Sequence, residues 1–154
     1  MKKLLIITLL AGISLAGNAQ NPSMASLFRE IPDSLMPYLS KNNRLDMLDF
    51  RDAQMKAEVT NLFDGKSEMT ALTDDSLSIR MSEVLQVSMK LEEVQEPVDS
   101  AFYVIRLWRD YQINENQTVR IVDVYSSVWR KLSSHEEQST LLRRDEGIFE
   151  RFYF

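Results

Sequence analysis

Between Leu77 and Leu91 the chain alternates apolar and polar side chains twice over. Leu77, Ile79 and Met81 stand against Ser76, Ser78 and Arg80; after Ser82-Glu83, Leu85, Val87, Met89 and Leu91 stand against Gln86, Ser88, Lys90 and Glu92. A period of two marks a strand with one dry and one wet face. Two such runs joined by a short polar turn predict an antiparallel pair covered on one side only. Upstream, Met55, Ala57 and Val59 alternate with Lys56, Glu58 and Thr60. A strand over about 56–62 is therefore expected to pair with one over 67–73, with Gly65 of Asp64-Gly65 supplying the positive φ of the turn. Asp74-Asp75 then turns the chain into 76–81. Downstream, the run 95–100 (Gln-Glu-Pro-Val-Asp-Ser) reads as a linker, 101–108 as a central fifth strand, and 118–125 as a sixth after the polar loop 114–117. A last apolar piece, 128–132, follows Ser126-Ser127.

Ahead of the strands the period is helical. Met24, Leu27, Phe28 and Ile31 recur at helical spacing, with Ser23 or Ser26 as cap and Pro32 as stop. A short helical piece is expected from Asp33-Ser34, where Pro37 is tolerated in a first turn. Asn43 reads as the cap of a third helix from Arg44 to about Ala53, burying Leu45, Leu48 and either Met47 or Phe50. At the other end, Ser133 or Ser134 ahead of Glu136 and Glu137 predicts a helix start. The fold class is thus α+β: N-terminal helices packed on one face of a mainly antiparallel, meander-type sheet of about five or six strands, with a C-terminal helix or tail.

The first residues belong to a different category. Lys2 and Lys3 precede an apolar stretch from Leu4 to Leu15, followed by Ala16-Gly17-Asn18-Ala19-Gln20. This is the pattern of a secretory signal cleaved after Ala19, and the stretch is shorter than the about 20 residues of a membrane span. The expected organisation is a signal peptide over 1–19, a single domain over 20–132, and a C-terminal helix and aromatic tail over 133–154. The mature chain is then periplasmic or secreted, with no membrane span. The absence of cysteine rules out both disulfides and a lipidated cysteine, so stability rests on the core. The formal charge of −5, made more negative by loss of the two lysines, and the lack of a basic stripe argue against nucleic acid as a partner.

Several of these segments also resemble a known family. Residues 26–39, reading Ser-Leu-Phe-Arg-Glu-Ile-Pro-Asp-Ser-Leu-Met-Pro-Tyr-Leu, then Asn42-Asn43-Arg44-Leu45-Asp46, then Leu72-Thr73-Asp74-Asp75, are similar to a domain-of-unknown-function family of secreted gut-bacterial proteins, the one numbered 3256. Val124-Tyr125 and Trp129-Arg130-Lys131-Leu132 extend the likeness, which covers roughly 24–132. The resemblance implies a small exported α+β protein and carries no catalytic residue across. Relatives often run on past this point, so the stretch after Ser133 departs from the pattern.

No chemistry stands out. His135 is the one histidine; placed in Ser133-Ser134-His135-Glu136-Glu137, it reads as a solvated helix-start residue rather than a general base, and alone it makes no zinc site. Asp74-Asp75, Glu92-Glu93 and Asp46 with Asp49 read as turn, strand-end and helix-surface carboxylates, without the glycine-turned oxygen loop that calcium needs. No metal or cofactor is expected, and Asn116-Gln117-Thr118 fits a glycan acceptor pattern that short tripeptides often meet by chance. The candidate binding residues are aromatic: Trp108, Tyr111 and Trp129, with Arg106 and Arg109 nearby, and the tail residues Phe149, Phe152, Tyr153 and Phe154. Two functions fit. One is a non-catalytic module that binds another envelope or secreted protein through the wet sheet face or the aromatic tail; the other is a small ligand-binding or hydrolytic domain with a pocket between helices and sheet, which requires a cavity of several hundred Å³ and a carboxylate.

Overall fold

The computed structural model describes residues 22–140. The signal-peptide expectation over 1–19 and the tail aromatics lie outside the described residues.

Two helices come first. Helix α1 (Met24–Glu30) is capped by Ser23, whose side chain accepts from the Ser26 N–H. A 3-10 turn, Asp33–Leu35, follows. Helix α2 (Lys41–Asp52) starts one turn earlier than expected. Ser40 is its cap: the Ser40 hydroxyl accepts from the Asn43 N–H at 3.1 Å and the Asn43 side chain accepts from the Ser40 N–H at 3.1 Å. Asn43 thus occupies the third helical position of a capping box, where its amide does the work more often done by glutamate.

Seven strands follow in chain order, each antiparallel to its neighbours: β1 (Glu58–Thr60), β2 (Lys66–Leu72), β3 (Ser76–Arg80), β4 (Leu85–Val98), β5 (Ala101–Asn114), β6 (Gln117–Tyr125) and β7 (Lys131–Thr140). The sheet is a plain meander with one strand more than the upper expectation. Leu77 lies opposite Met89, and Ile79 opposite Val87. The register continues across β5, where Leu107 faces Met89 and Ile105 faces Leu91. All the apolar side chains of the alternation therefore fall on one face, against α1, α2 and the segment between them. Leu77, Ile79, Met81, Leu85, Val87 and Met89 are buried there with Met24, Phe28, Met36, Leu39 and Met47. A bulge at Thr70 in β2 keeps both Met69 and Leu72 on the covered side. Six of the eight methionines are in this core, where unbranched thioethers fill the irregular space between helices and a twisted sheet.

Three expectations need correction. The segment 95–100 is no linker: β4 runs on to Val98, and the two-residue turn Asp99-Ser100, both left-handed (φ 47° and 66°), reverses it into β5. Pro97 is accommodated because the register slips between Glu93 and Val98, so its missing N–H interrupts no regular ladder. In the β1–β2 turn Asp64, with φ 60°, takes the left-handed position assigned to Gly65. Finally, 133–140 is strand and not helix. Ser133, Ser134, Glu136 and Glu137 pair along β6, and the ladder prevails over the local capping chemistry.

The opposite face is polar but not uniformly wet. Ser78 and Ser88 share a hydroxyl hydrogen bond at 2.8 Å, Arg80 pairs with Glu68, and Arg106 grips Glu92 through two 2.7 Å contacts. Val104 and Val122, on the same side, are nevertheless buried, with Glu92 opposite Val104 and Trp108 opposite Val122 in the ladder.

One polar side chain organises the β1–β2 turn from inside. Asn61, 6% exposed, donates to Ser67 Oγ (3.0 Å) and the Met81 carbonyl (3.2 Å) and accepts from the N–H groups of Phe63 (2.9 Å) and Gly65 (3.1 Å). It ties the β1–β2 turn to the β3–β4 turn. Replacing it removes the acceptor of the Phe63 and Gly65 N–H groups, while the Met81 carbonyl keeps the Ser67 hydroxyl at 2.7 Å. Asn61→Ala is expected to lower the unfolding free energy by about 2–3 kcal/mol, read as a lower urea midpoint at unchanged slope; an unmoved midpoint would show that water replaces the side chain at no loss.

Candidate functional site

In a meander, alternate turns fall at the same end. The β1–β2, β3–β4 and β5–β6 turns therefore share one end of the sheet, and the backbone fixes their heights: Val84 O accepts from Gln112 N at 2.9 Å, and Tyr38 O accepts from Leu62 N at 3.0 Å. At this end the protein exposes Leu62, Phe63, Val84 and Ile113, each more than half accessible. Turns are ordinarily polar, so large apolar side chains collected at their tips are the least explained surface feature of the fold.

Beside them opens a cavity of about 90 Å³ between the strap 35–38 and strands β4 and β5. Its walls include Met36, Tyr38, Met81, Leu85 and Tyr111, with Arg109 the one charged lining residue. Phe63 stands edge-on to Tyr38, ring centroids 4.9 Å apart, which links the exposed tip to the cavity wall. The strap is fastened from behind by Arg44, 2% exposed, which donates to Asp33 at 2.8 Å and to the Leu39 carbonyl at 3.1 Å. Drug-sized ligands occupy roughly 300–1,000 Å³, and even benzene fills a cavity of about 150 Å³. The space suits one aliphatic side chain, and no carboxylate lines it.

Arg109 leads from the cavity to the most strongly perturbed acid. Asp123, 2% exposed, accepts from Arg109 Nη1 at 2.5 Å, Lys131 Nζ at 2.9 Å, Ser134 Oγ at 2.5 Å and the Tyr125 hydroxyl at 3.3 Å. Burial pushes this carboxyl up, but donation from Ser134, Lys131 and Arg109 outweighs it and holds the pKa at about 2. An acid so saturated with donors is fixed in its ionised form and is in no position to exchange protons with a substrate. Its work is structural: it fastens β5 and β7 to β6 on the helix side of the sheet.

The sequence-predicted binding aromatics do not converge. Tyr111 lines the cavity. Trp108, three residues away on β5, points to the other face, where the Arg106 guanidinium lies 6.0 Å from its ring. Trp129 sits at the far end of the sheet, tilted against Tyr125 at 6.0 Å. Phe149, Phe152, Tyr153 and Phe154 lie outside the described residues. His135 is exposed on β7, with Nε2 3.1 Å from Glu137. Among the described residues no group of three or more His, Cys, Asp or Glu is placed to hold a metal ion, and no helix is long and apolar enough to cross a membrane. The tip residues were missed, although Leu62-Phe63 between Asn61 and Asp64 was a legible signal: apolar residues inside a turn that has no strand face to hide them.

Fold and site together define a small α+β domain: a seven-stranded antiparallel meander with two helices on one face. The chain belongs to the family described as "Protein of unknown function (DUF3256)", whose model matches residues 16–141. Among solved structures it is similar to a domain of an uncharacterized protein from Porphyromonas gingivalis W83, at 21% identity and a TM-score of 0.55, over 70% of this chain and 52% of that one. That likeness is one of fold, and this chain corresponds to about half of its neighbour's length. No curated protein matches it.

Because Asp123 has a lowered pKa, its contribution is complete above its ordinary value of 3.8 and is lost as pH falls from there towards 2. At neutral pH Asp123→Asn is expected to be less stable than the parent by on the order of 2 kcal/mol, with the gap closing between about pH 4 and 2. Urea melts of both chains across that range check this; a gap independent of pH would mean that shape and not charge is what the asparagine loses.

Proposed function

We propose that this is an exported, non-catalytic protein-binding domain, and that its contact site is the apolar end formed by Leu62, Phe63, Val84 and Ile113 around the Tyr38–Tyr111 cavity. The observation that carries the reading is the exposure of Leu62 (60%) and Phe63 (65%) beside an apolar hole of about 90 Å³. A hole for one aliphatic side chain, flanked by exposed anchors, is how a protein surface accepts a partner's leucine, isoleucine or valine. Export is supported by Lys2-Lys3, the apolar run that follows and Ala19, and makes another envelope or secreted protein the partner. The pocket-enzyme alternative has less behind it, since it requires a larger cavity and a carboxylate in its wall.

Two measurements test this. N-terminal sequencing of the chain recovered from bacteria expressing it should begin at Gln20; a retained Met1 would overturn export. Cross-linking of the tagged chain in the envelope should give a discrete adduct that Leu62→Asp and Phe63→Asp reduce at least tenfold and Lys90→Glu, on the polar sheet face, leaves in place. An adduct indifferent to the tip substitutions would place the contact elsewhere.

A further inference from the structure

Strand β7 is joined to the molecule in an unusual way. From Lys131 to Glu137 every residue is exposed, so this part of the strand contributes nothing to the core. It is held chiefly by the backbone ladder to β6 and by the pairing of Lys131 and Ser134 with Asp123, with the Lys131 ammonium also 5.8 Å from the Tyr125 ring. None of these contacts depends on which chain supplies the strand. The edge it covers, Val119 to Val124, is rich in β-branched residues and would not stay uncovered in water.

The connection between the two strands is strained. In the turn from Ser126 to Arg130, Trp129 has φ 61°, a left-handed conformation that a bulky side chain strongly disfavours. The turn is closed by backbone hydrogen bonds from Ser126 N to Arg130 O (2.9 Å) and from Trp129 N to Ser126 O (3.0 Å), and the indole is packed against Tyr125 and the core. Ring packing, together with the Arg130–Asp99 ion pair at 2.9 Å and the Ser127 hydroxyl donating to the Asp99 carbonyl at 3.4 Å, holds shut a turn strained at its left-handed residue.

We propose that this turn is a latched hinge: when the Trp129 ring leaves Tyr125, the turn extends and β7 of one copy takes the place of β7 on β6 of a second copy. Exchange re-forms every strand contact in trans and relieves the left-handed residue, which is the general route to swapped dimers. The second copy is the occupant that fits because only it carries the Lys131 and Ser134 that the buried Asp123 requires.

The chain has no cysteine, which permits a clean test. Val122 and His135 are ladder partners, and opposed residues lie within disulfide reach. Chains bearing Val122→Cys and, separately, His135→Cys with a size tag are mixed, incubated and oxidised. A linked heterodimer forms only when one chain's β7 lies on the other's β6. The experiment is run with Trp129 kept, with Trp129→Ala and with Trp129→Gly, each confirmed as folded by circular dichroism. Alanine removes the ring and keeps the strain, whereas glycine removes both. Heterodimer should be scarce with tryptophan and about tenfold more abundant with alanine than with glycine, the ratio set by the left-handed penalty. Equal yields for alanine and glycine, or no heterodimer with alanine, would overturn the proposal. Should the alanine chain fail to fold, Trp129→Leu, also strained and ringless, takes its place against Trp129→Asn, which tolerates the left-handed region.

Discussion

The structure depends on one constraint: every second residue of the central strands must be kept from water, and only one layer of helix is there to do it. The antiparallel register of β3, β4 and β5 places Leu77, Met89 and Leu107 in one row and Ile79 and Val87 in the next. A slip of one residue would exchange these for Ser78, Ser88 and Lys90. Burying an aliphatic side chain is worth about 1.5–3 kcal/mol, so a slip across three strands would cost about as much as the whole stability of a typical domain, roughly 5–15 kcal/mol. Register is therefore fixed by burial, and the turns only have to permit it.

The helical layer, in turn, is short. It covers β1 to β5 and leaves the far strands to be organised by charge. On the helix side the change falls at Arg109 and Asp123, where apolar packing gives way to a buried carboxylate surrounded by cations and hydroxyls. Beyond it, β7 has no apolar side chain turned into the core from Lys131 to Glu137. The protein is thus graded, from a methionine-rich centre under the helices to an edge held by hydrogen bonds and ion pairs. The openings follow the same gradient: the strap 35–38 reaches Arg109 of β5 without filling the space beneath it, which leaves the small cavity, and the tips of three hairpins carry uncovered apolar residues.

This gradient also explains what could be read in advance. Where one face is buried, the sequence alternates, and β2, β3 and β6 fall close to their expected bounds. At β7 both faces are exposed over 131–137, so no period of two is imposed; Ser133-Ser134 followed by two glutamates then looks like a helix start, because that local chemistry is the only pattern left. The segment 95–100 failed for a related reason. Beyond Glu93 the hairpin leaves the core, polar residues and Pro97 carry no face preference, and only pairing with β5 shows it to be strand. The proposed contact site was legible in one place, Leu62-Phe63, and hidden in the rest, since Tyr38, Met81 and Tyr111 come together only when the strap crosses the sheet.

The fold rests on the two faces of β3 being unequal. Unfolding free energies of Ile79→Ala and Ser78→Ala, measured side by side in urea, test it most directly. Ile79 is fully buried, and its truncation is expected to cost about 2–5 kcal/mol; Ser78, whose hydroxyl meets Ser88 on the polar side, should lose about 1 kcal/mol or less. Comparable losses at both positions would contradict a one-sided sheet.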